Sequence, residues 1–316
     1  MRTYGYVLAG ALVLAMPHRA LAQAPAAQGE KPASPLELLV LGSGGPGARG
    51  RAASSYVLLL DGTPRILVDA GPGSFARVGE AQLSLETLDV VLLTHLHADH
   101  AAELPGLVKA RAVAVAHPIQ FAVYGPVGRA AHGDTPAFPS TSRFITLLFG
   151  PNGAFAYLKT FSAPISFQVT DLPGSSAATK VPRTILQRGD LKISAIGGHH
   201  GDAPAVIYRI DYRGHNVVFS GDCDEHGLPA LQTIAQGADL LVFDAVVVDG
   251  SPQILLSLHS PPNAIGTAAA ASRVGALLLS HLSPIVENNR SAVTASIASH
   301  YQGPIKFAVD GMRLEP

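Results

Sequence analysis

Apolar positions in this chain fall into short runs broken by Gly, Pro and polar turns, not into long periodic stretches. Leu36–Gly42, Ser55–Leu60 and residues 65–70 are Leu-rich or β-branched runs of strand length. Such runs, bounded by turn residues, are predicted as buried strands. Residues 89–93 form a fourth, closed abruptly by a polar cluster. A helix is predicted over 101–110 and a strand over 113–116. Residues 118–183 break into pieces rich in Pro, Gly and Ser. They are expected to form an insertion or lid, with 143–158 as its helical part. Regularity returns in strands at 191–196, 205–212, 216–220 and 240–248. An Ala-rich helix at 263–274, a strand at Ala276–Ser280, a helix at 291–300 and a strand at 305–309 complete the pattern. Strands in two sets, each followed by helices, predict a layered α/β fold rather than one parallel sheet.

The first 22 residues have a different character. Arg2 precedes an apolar stretch from Tyr6 to Met16, and Ala20-Leu21-Ala22 stands before Gln23. That layout is that of a secretory signal peptide cleaved after Ala22; a span needs about 20 apolar residues, so an uncleaved anchor is the weaker alternative. Residues 23–35, rich in Ala, Pro and Gln, are expected to be a flexible lead-in. Residues 36–316 are then one large α/β domain in a periplasmic or secreted protein. With 22 basic and 23 acidic residues the net charge is −1, which does not suggest a protein built to grip a polyanion. Cys223 is the only cysteine. Intramolecular disulfides and Cys-rich metal sites are therefore excluded, and any metal must rest on His and carboxylate.

Chemistry concentrates in Thr94-His95-Leu96-His97-Ala98-Asp99-His100, directly after the strand at 89–93. His95 and His97, two apart in extended geometry, point the same way. Asp99 and His100 sit near a helix start and can face a second metal. Asp69 ends an earlier strand, either as a ligand or as the carboxylate that orients a neighbouring imidazole. The Gly-rich loop 42–47 lacks a following helix or Gly-Lys-Ser/Thr, so it is expected to be a strand-connecting turn lining the site rather than a phosphate cradle. Four later features hold ligand-type residues near element ends: His199-His200, Asp222, His259-Ser260 and His281. Together they supply enough N and O donors for two metals.

His-x-His-x-Asp-His, Gly-Gly-His-His, Ser-Gly-Asp and a final Ser-His resemble the metallo-β-lactamase superfamily. Leu41-Gly42-Ser43-Gly44-Gly45, Tyr124-Gly125-Pro126 and the run from Pro204 to Ile210 look like its ribonuclease Z and arylsulfatase-like branch. The resemblance implies a four-layer αββα sandwich with a dinuclear site along one edge. It implies His95, His97 and His200 on one metal, Asp99, His100 and His281 on the other, and Asp222 bridging. His200 is preferred to His199 by its distance to Pro204-Ala205, with His199 the alternative. Among the catalytic candidates His259, Asp99 and Asp222, His259 looks like the branch's general acid, although Pro261 replaces the Thr expected two positions on. Cys223 is expected to be a buried, inert thiol.

A pair of divalent ions, Zn2+ first with Mn2+ or Fe as alternatives, would share a hydroxide that attacks an ester, with His259 as proton donor. Residues 118–183 carry Arg129, Arg143, Lys159, Lys180 and Arg183 against Asp134 and Asp171, too few for an arm that grips tRNA. A small anionic ester, a phosphodiester or aryl sulfate, is the expected substrate. Lactone or β-lactam hydrolysis is the alternative, and a metal-binding scaffold or a di-iron redox protein ranks below it. No membrane partner is expected beyond the export signal; a homodimer is open.

Overall fold

A computed structural model describes residues 34–47, 49–174 and 181–316. The expected signal peptide, nearly all of the expected lead-in, and Lys180 lie outside the described residues. Strands β1 (Leu36–Gly42), β2 (Ser55–Leu60), β3 (Thr63–Ala70), β4 (Val90–Leu92), β5 (Ile119–Pro126) and β6 (Ile165–Leu172) neighbour one another in chain order. A second sheet runs β7 (Arg183–Arg188), β8 (Leu191–His200), β9 (Ala203–Tyr212), β10 (His215–Phe219), β11 (Leu240–Asp244), β12 (Ala276–Ser280) and β13 (Ile305–Phe307). β14 (Arg313–Leu314) returns to pair with β1. Each sheet is antiparallel in its first part, and parallel from β3 to β6 and from β10 to β13.

Alternation of side chains along the strands builds three apolar layers. Leu36, Leu38, Leu58, Val68 and Leu92 face a core shared with Val206, Tyr208, Val217 and Val242 of the other sheet. Their sequence neighbours Leu39, Val57, Leu67 and Val91 turn outward to helices α1 (Ser74–Glu80), α3 (Leu104–Ala114) and α4 (Thr141–Phe149). The short α2 (Ala98–Ala101) precedes α3. On the far side Val218, Leu241 and Leu279 pack on α5 (Leu228–Ile234), α7 (Pro262–Ser272), α8 (Pro284–Asn288) and α9 (Arg290–Ala298), with α6 (Gln253–Leu256) short and outside this core. The result is the αββα sandwich. Strands covered on both faces explain the unbroken apolar runs in the sequence.

Two expectations need correction. The expected strand at 113–116 begins inside α3, and the true strand is β5, six residues later. The stretch 118–183 is not an insertion throughout. β5 and β6 within it pair over eight residues as part of the sheet, leaving 127–164 as the excursion, with α4 and a 3-10 turn at Ala156–Thr160.

Candidate metal centre

The ends of β3, β4, β8, β10, β11 and β12 meet at one edge of the sandwich. Parallel register sets Val68 beside Leu92, so Asp69 lies next to the turn leaving β4. Its Oδ1 accepts from the Thr94 backbone N–H (2.7 Å) and its Oδ2 from Thr94 Oγ1 (2.8 Å) and His100 Nδ1 (2.8 Å). Asp69 is thus the carboxylate that orients His100, with its backbone in the left-handed region (φ 55°). The second sheet grips the same turn. The Val206 N–H donates to Thr94 O (2.8 Å), and Tyr208 Oη to Leu93 O (3.0 Å). His95 and His97 follow in the turn, and α2 carries Asp99 and His100.

His95, His97 and His200 form one group, with ring centroids 4.6 to 5.1 Å apart. Asp99, His100 and His281 form another, with His281 Nε2 3.1 Å from Asp99 Oδ2. Asp222 stands between them. Its Oδ2 lies 3.5 Å from His200 Nε2 and 3.9 Å from His95 Nε2, and its Oδ1 lies 3.3 Å from His100 Nε2 and 3.5 Å from His281 Nε2. All seven predicted ligands are therefore together, in groups whose donor atoms lie within 4.8 Å of one another.

The residues fit a metal pair on their own chemistry. His95 Nε2, His100 Nε2 and Asp222 Oδ1 are buried without a hydrogen-bond partner. Such orphaned polar atoms are costly unless something else satisfies them. Burial lowers His95 and His97 and takes His200 to about 4, which keeps these imidazoles neutral, the form that binds metal. Burial also acts on His100, but Asp222 and Asp69 overcome it and raise that group. Burial alone would raise the Asp222 carboxyl; His281 and His100 hold it well below the usual range. The donors are hard oxygens and imidazole nitrogens, the set that zinc, manganese and iron accept.

Outer contacts fix ring orientation. His200 Nδ1 donates to Leu258 O (2.8 Å). His199, its neighbour on β8, faces the other way and bonds Asp224 Oδ2 (2.6 Å), so the structure sets His200 and not His199 against the cluster. Gly45, in the Gly-rich turn, leaves room for His281: a Cβ there would lie 3.0 Å from its Nδ1 and from its carbonyl oxygen. That turn lines the site as expected.

His259 is buried beside the cluster, its ring 5.2 Å from His200 and 5.9 Å from His281. Ser260 ties it down, donating from N and Oγ to Cys223 O (2.9 Å each). Pro261 occupies the N-cap of α7 in extended geometry (φ −72°, ψ 159°) with Pro262 at the first turn, so the missing Thr is replaced by a proline-led helix start. His259 Nδ1 pairs with Asp244 Oδ2 at 2.8 Å. Burial raises Asp244 to about 6. Burial opposes protonation of His259, but the bond and charge of Asp244 outweigh it and raise the imidazole. Asp244 was not anticipated from sequence; a carboxylate ending an apolar strand, where the other ligands also sit, is the signal that marks it. Cys223 is fully buried, its thiol raised by burial and by Asp244 and Asp224.

The chain belongs to the beta-lactamase superfamily: the model of the beta-lactamase superfamily domain matches residues 64–282, in a family of metal-dependent hydrolases with the metallo-β-lactamase fold. It is 27% identical over 297 residues to a protein named ribonuclease Z from Mycobacterium marinum, covering 89% of this chain and 98% of that one. The fold is similar to that of the metallo-β-lactamase fold protein YhfI from Bacillus subtilis, with a TM-score of 0.66 and 22% identity over 89% of this chain and 100% of that one. Human tRNase Z, short form, gives a TM-score of 0.66 at 21% identity over 89% and 99%.

Proposed function

We propose that the protein is an exported two-metal hydrolase of small anionic esters, with phosphodiesters first and aryl sulfates second. The division of Asp222 carries this reading: one oxygen faces His95 and His200, the other His100 and His281, the arrangement a carboxylate shared by two cations requires. Two Zn2+ ions held there would polarise the ester and make a water acidic enough to ionise near neutral pH. Around them the chain does the rest. His95, His97, Asp99, His100, His200 and His281 would hold the cations, and Asp69 and the Leu258 carbonyl fix the rings of His100 and His200.

His259 supplies the proton. With Asp244 accepting from Nδ1, the other ring nitrogen is free to donate to the departing alkoxide or phenoxide oxygen. Asp244 stabilises the imidazolium before donation and keeps the ring in one orientation, the logic of a base held by a buried carboxylate.

The relatives named ribonuclease Z support phosphodiester chemistry. Their tRNA is not proposed as the substrate: the excursion at 127–164 carries only Arg129, Arg143 and Lys159 against Asp134, and the leader favours a compartment without precursor tRNA. Zinc-loaded protein should be assayed on bis(p-nitrophenyl) phosphate, p-nitrophenyl sulfate, a homoserine lactone, nitrocefin and a tRNA precursor. Turnover of the phosphodiester above the lactone and nitrocefin supports the proposal. Preferential cleavage of the lactone, nitrocefin or the tRNA precursor would overturn it.

A further inference from the structure

Within the excursion, residues 129–138 form a small antiparallel hairpin beside the metal centre. Arg129 and Phe138 exchange backbone hydrogen bonds (3.0 and 2.9 Å), as do His132 and Thr135 further out (3.1 and 3.0 Å). Its base is anchored to the sheet: Val127 N–H donates to Leu172 O (2.8 Å), and Thr141 Oγ1 to Pro126 O (3.0 Å). Gly128 permits the tight closure, since a Cβ there would meet Phe138 O and Ser140 N at 2.7 Å.

Directly opposed residues in such a pair share a face, and the Arg129 guanidinium lies over the Phe138 ring at 5.3 Å. The same ring lies 6.0 Å from that of His97. Arg129 Nε donates to Asp202 O (2.9 Å), in the β8–β9 turn two residues past His200. The cation is therefore held by a ring stack and one carbonyl bond, between the residues that follow β4 and β8. Among the described residues no carboxylate pairs with it, and its Nη2 is buried without a hydrogen-bond partner. A fixed guanidinium with unused donors is suited to an anionic oxygen, which it can hold in a forked pair of hydrogen bonds.

We infer that Arg129, carried on the 129–138 hairpin and stacked on Phe138 beside His97, is a substrate-positioning residue that binds an anionic oxygen of the ester. The inference rests on the hydrolase reading above and assigns that site its preference for charged over neutral esters. Phe138 fixes the distance of the charge from the metal centre, and the Asp202 carbonyl fixes its rotation.

The test compares wild type, Arg129→Met and Arg129→Lys as full, zinc-loaded proteins on bis(p-nitrophenyl) phosphate and on neutral p-nitrophenyl acetate. Methionine keeps the stem over Phe138 and removes the charge. The expected result for the methionine variant is a KM for the phosphodiester raised by about 10-fold or more, with kcat changed less and the acetate unaffected. Lysine should recover part of the loss, and zinc affinity should match wild type in both. A phosphodiester KM within twofold of wild type overturns the assignment, as does an equal loss on the acetate. Calorimetry with inorganic phosphate gives a readout independent of turnover. If wild type hydrolyses no phosphodiester, the hydrolase reading fails by itself; Arg129 is then upheld by weaker phosphate binding in the methionine variant and rejected by unchanged binding.

Discussion

Asp69→Asn isolates the contribution of outer-shell orientation to metal binding. The wild-type carboxylate is buried and accepts three hydrogen bonds of 2.7 to 2.8 Å, two from Thr94 and one from His100. Asparagine keeps one oxygen, which can still accept from the Thr94 backbone. The new amide NH2 cannot accept from His100 Nδ1, so that imidazole loses the partner that leaves its Nε2 lone pair free for a cation. The backbone is not a confounding factor, because asparagine tolerates the left-handed conformation that Asp69 adopts (φ 55°) better than most residues do. The Thr94 hydroxyl, which also donates to Oδ2, can turn round and accept from the new NH2, so the bond from His100 is the one lost outright, at a cost of about 1.5–3 kcal/mol for a charge-assisted bond. Loss of an outer-shell partner lowers metal affinity by about 10–100-fold, which is the same magnitude at about 1.4 kcal/mol per tenfold. The loss should fall on the cation held by Asp99, His100 and His281, and spare the one held by His95, His97 and His200. Competition with a chromophoric chelator should therefore change from tight binding of two ions to one tight and one weakened by that factor. Equal affinities in wild type and variant would refute the role given to Asp69, and equal weakening of both ions would refute its assignment to His100.

His259→Ala should lower turnover of esters with poor leaving groups by about 100-fold or more, while activated aryl esters lose far less; equal losses on both would reject proton donation. Asp244→Asn removes the charge that raises His259. A donor works only while protonated, so rates on poor leaving groups should fall off at lower pH in this variant than in wild type; an unshifted alkaline limb would show that Asp244 does not tune His259. Gly221→Ala forces a side chain onto a left-handed residue (φ 59°) with its Cβ 2.7 Å from Thr94 Cβ. A cost of about 1–3 kcal/mol is expected, visible as a lowered Tm, and an unchanged Tm would contradict the packing described. Cys223 should resist an aromatic disulfide reagent in the folded protein and react on unfolding; rapid native labelling would place the thiol nearer the surface than its full burial allows.

Runs of apolar residues placed most strands because both faces of each sheet are covered, so burial imposes continuous hydrophobicity. β5 escaped because Pro118 and Gly125-Pro126 punctuate it on both sides, while Val113 and Ala114 mimic a strand at the end of α3. β6 alternates apolar and polar residues along an edge, a weaker pattern hidden among turn residues. At the site, His95, His97, Asp99 and His100 were legible because one short stretch of sequence, a turn running into α2, carries four donors. His200, Asp222 and His281 stand alone in sequence and become a set only when the sheets bring their strand ends together. Asp244 had no such motif: its meaning comes from the partner 15 residues away, His259, that it meets in space. Arg129 likewise acquires a role only once the hairpin sets it on Phe138.

The most direct test of a shared-carboxylate metal pair is elemental analysis of the purified protein and of Asp222→Asn, each assayed on bis(p-nitrophenyl) phosphate before and after chelation. The account predicts two divalent ions per wild-type chain, activity lost with the chelator and restored by zinc. It predicts fewer than two ions, with activity largely lost, in the variant. A wild-type chain that holds no tightly bound metal, or hydrolyses the ester equally well after complete chelation, would contradict it.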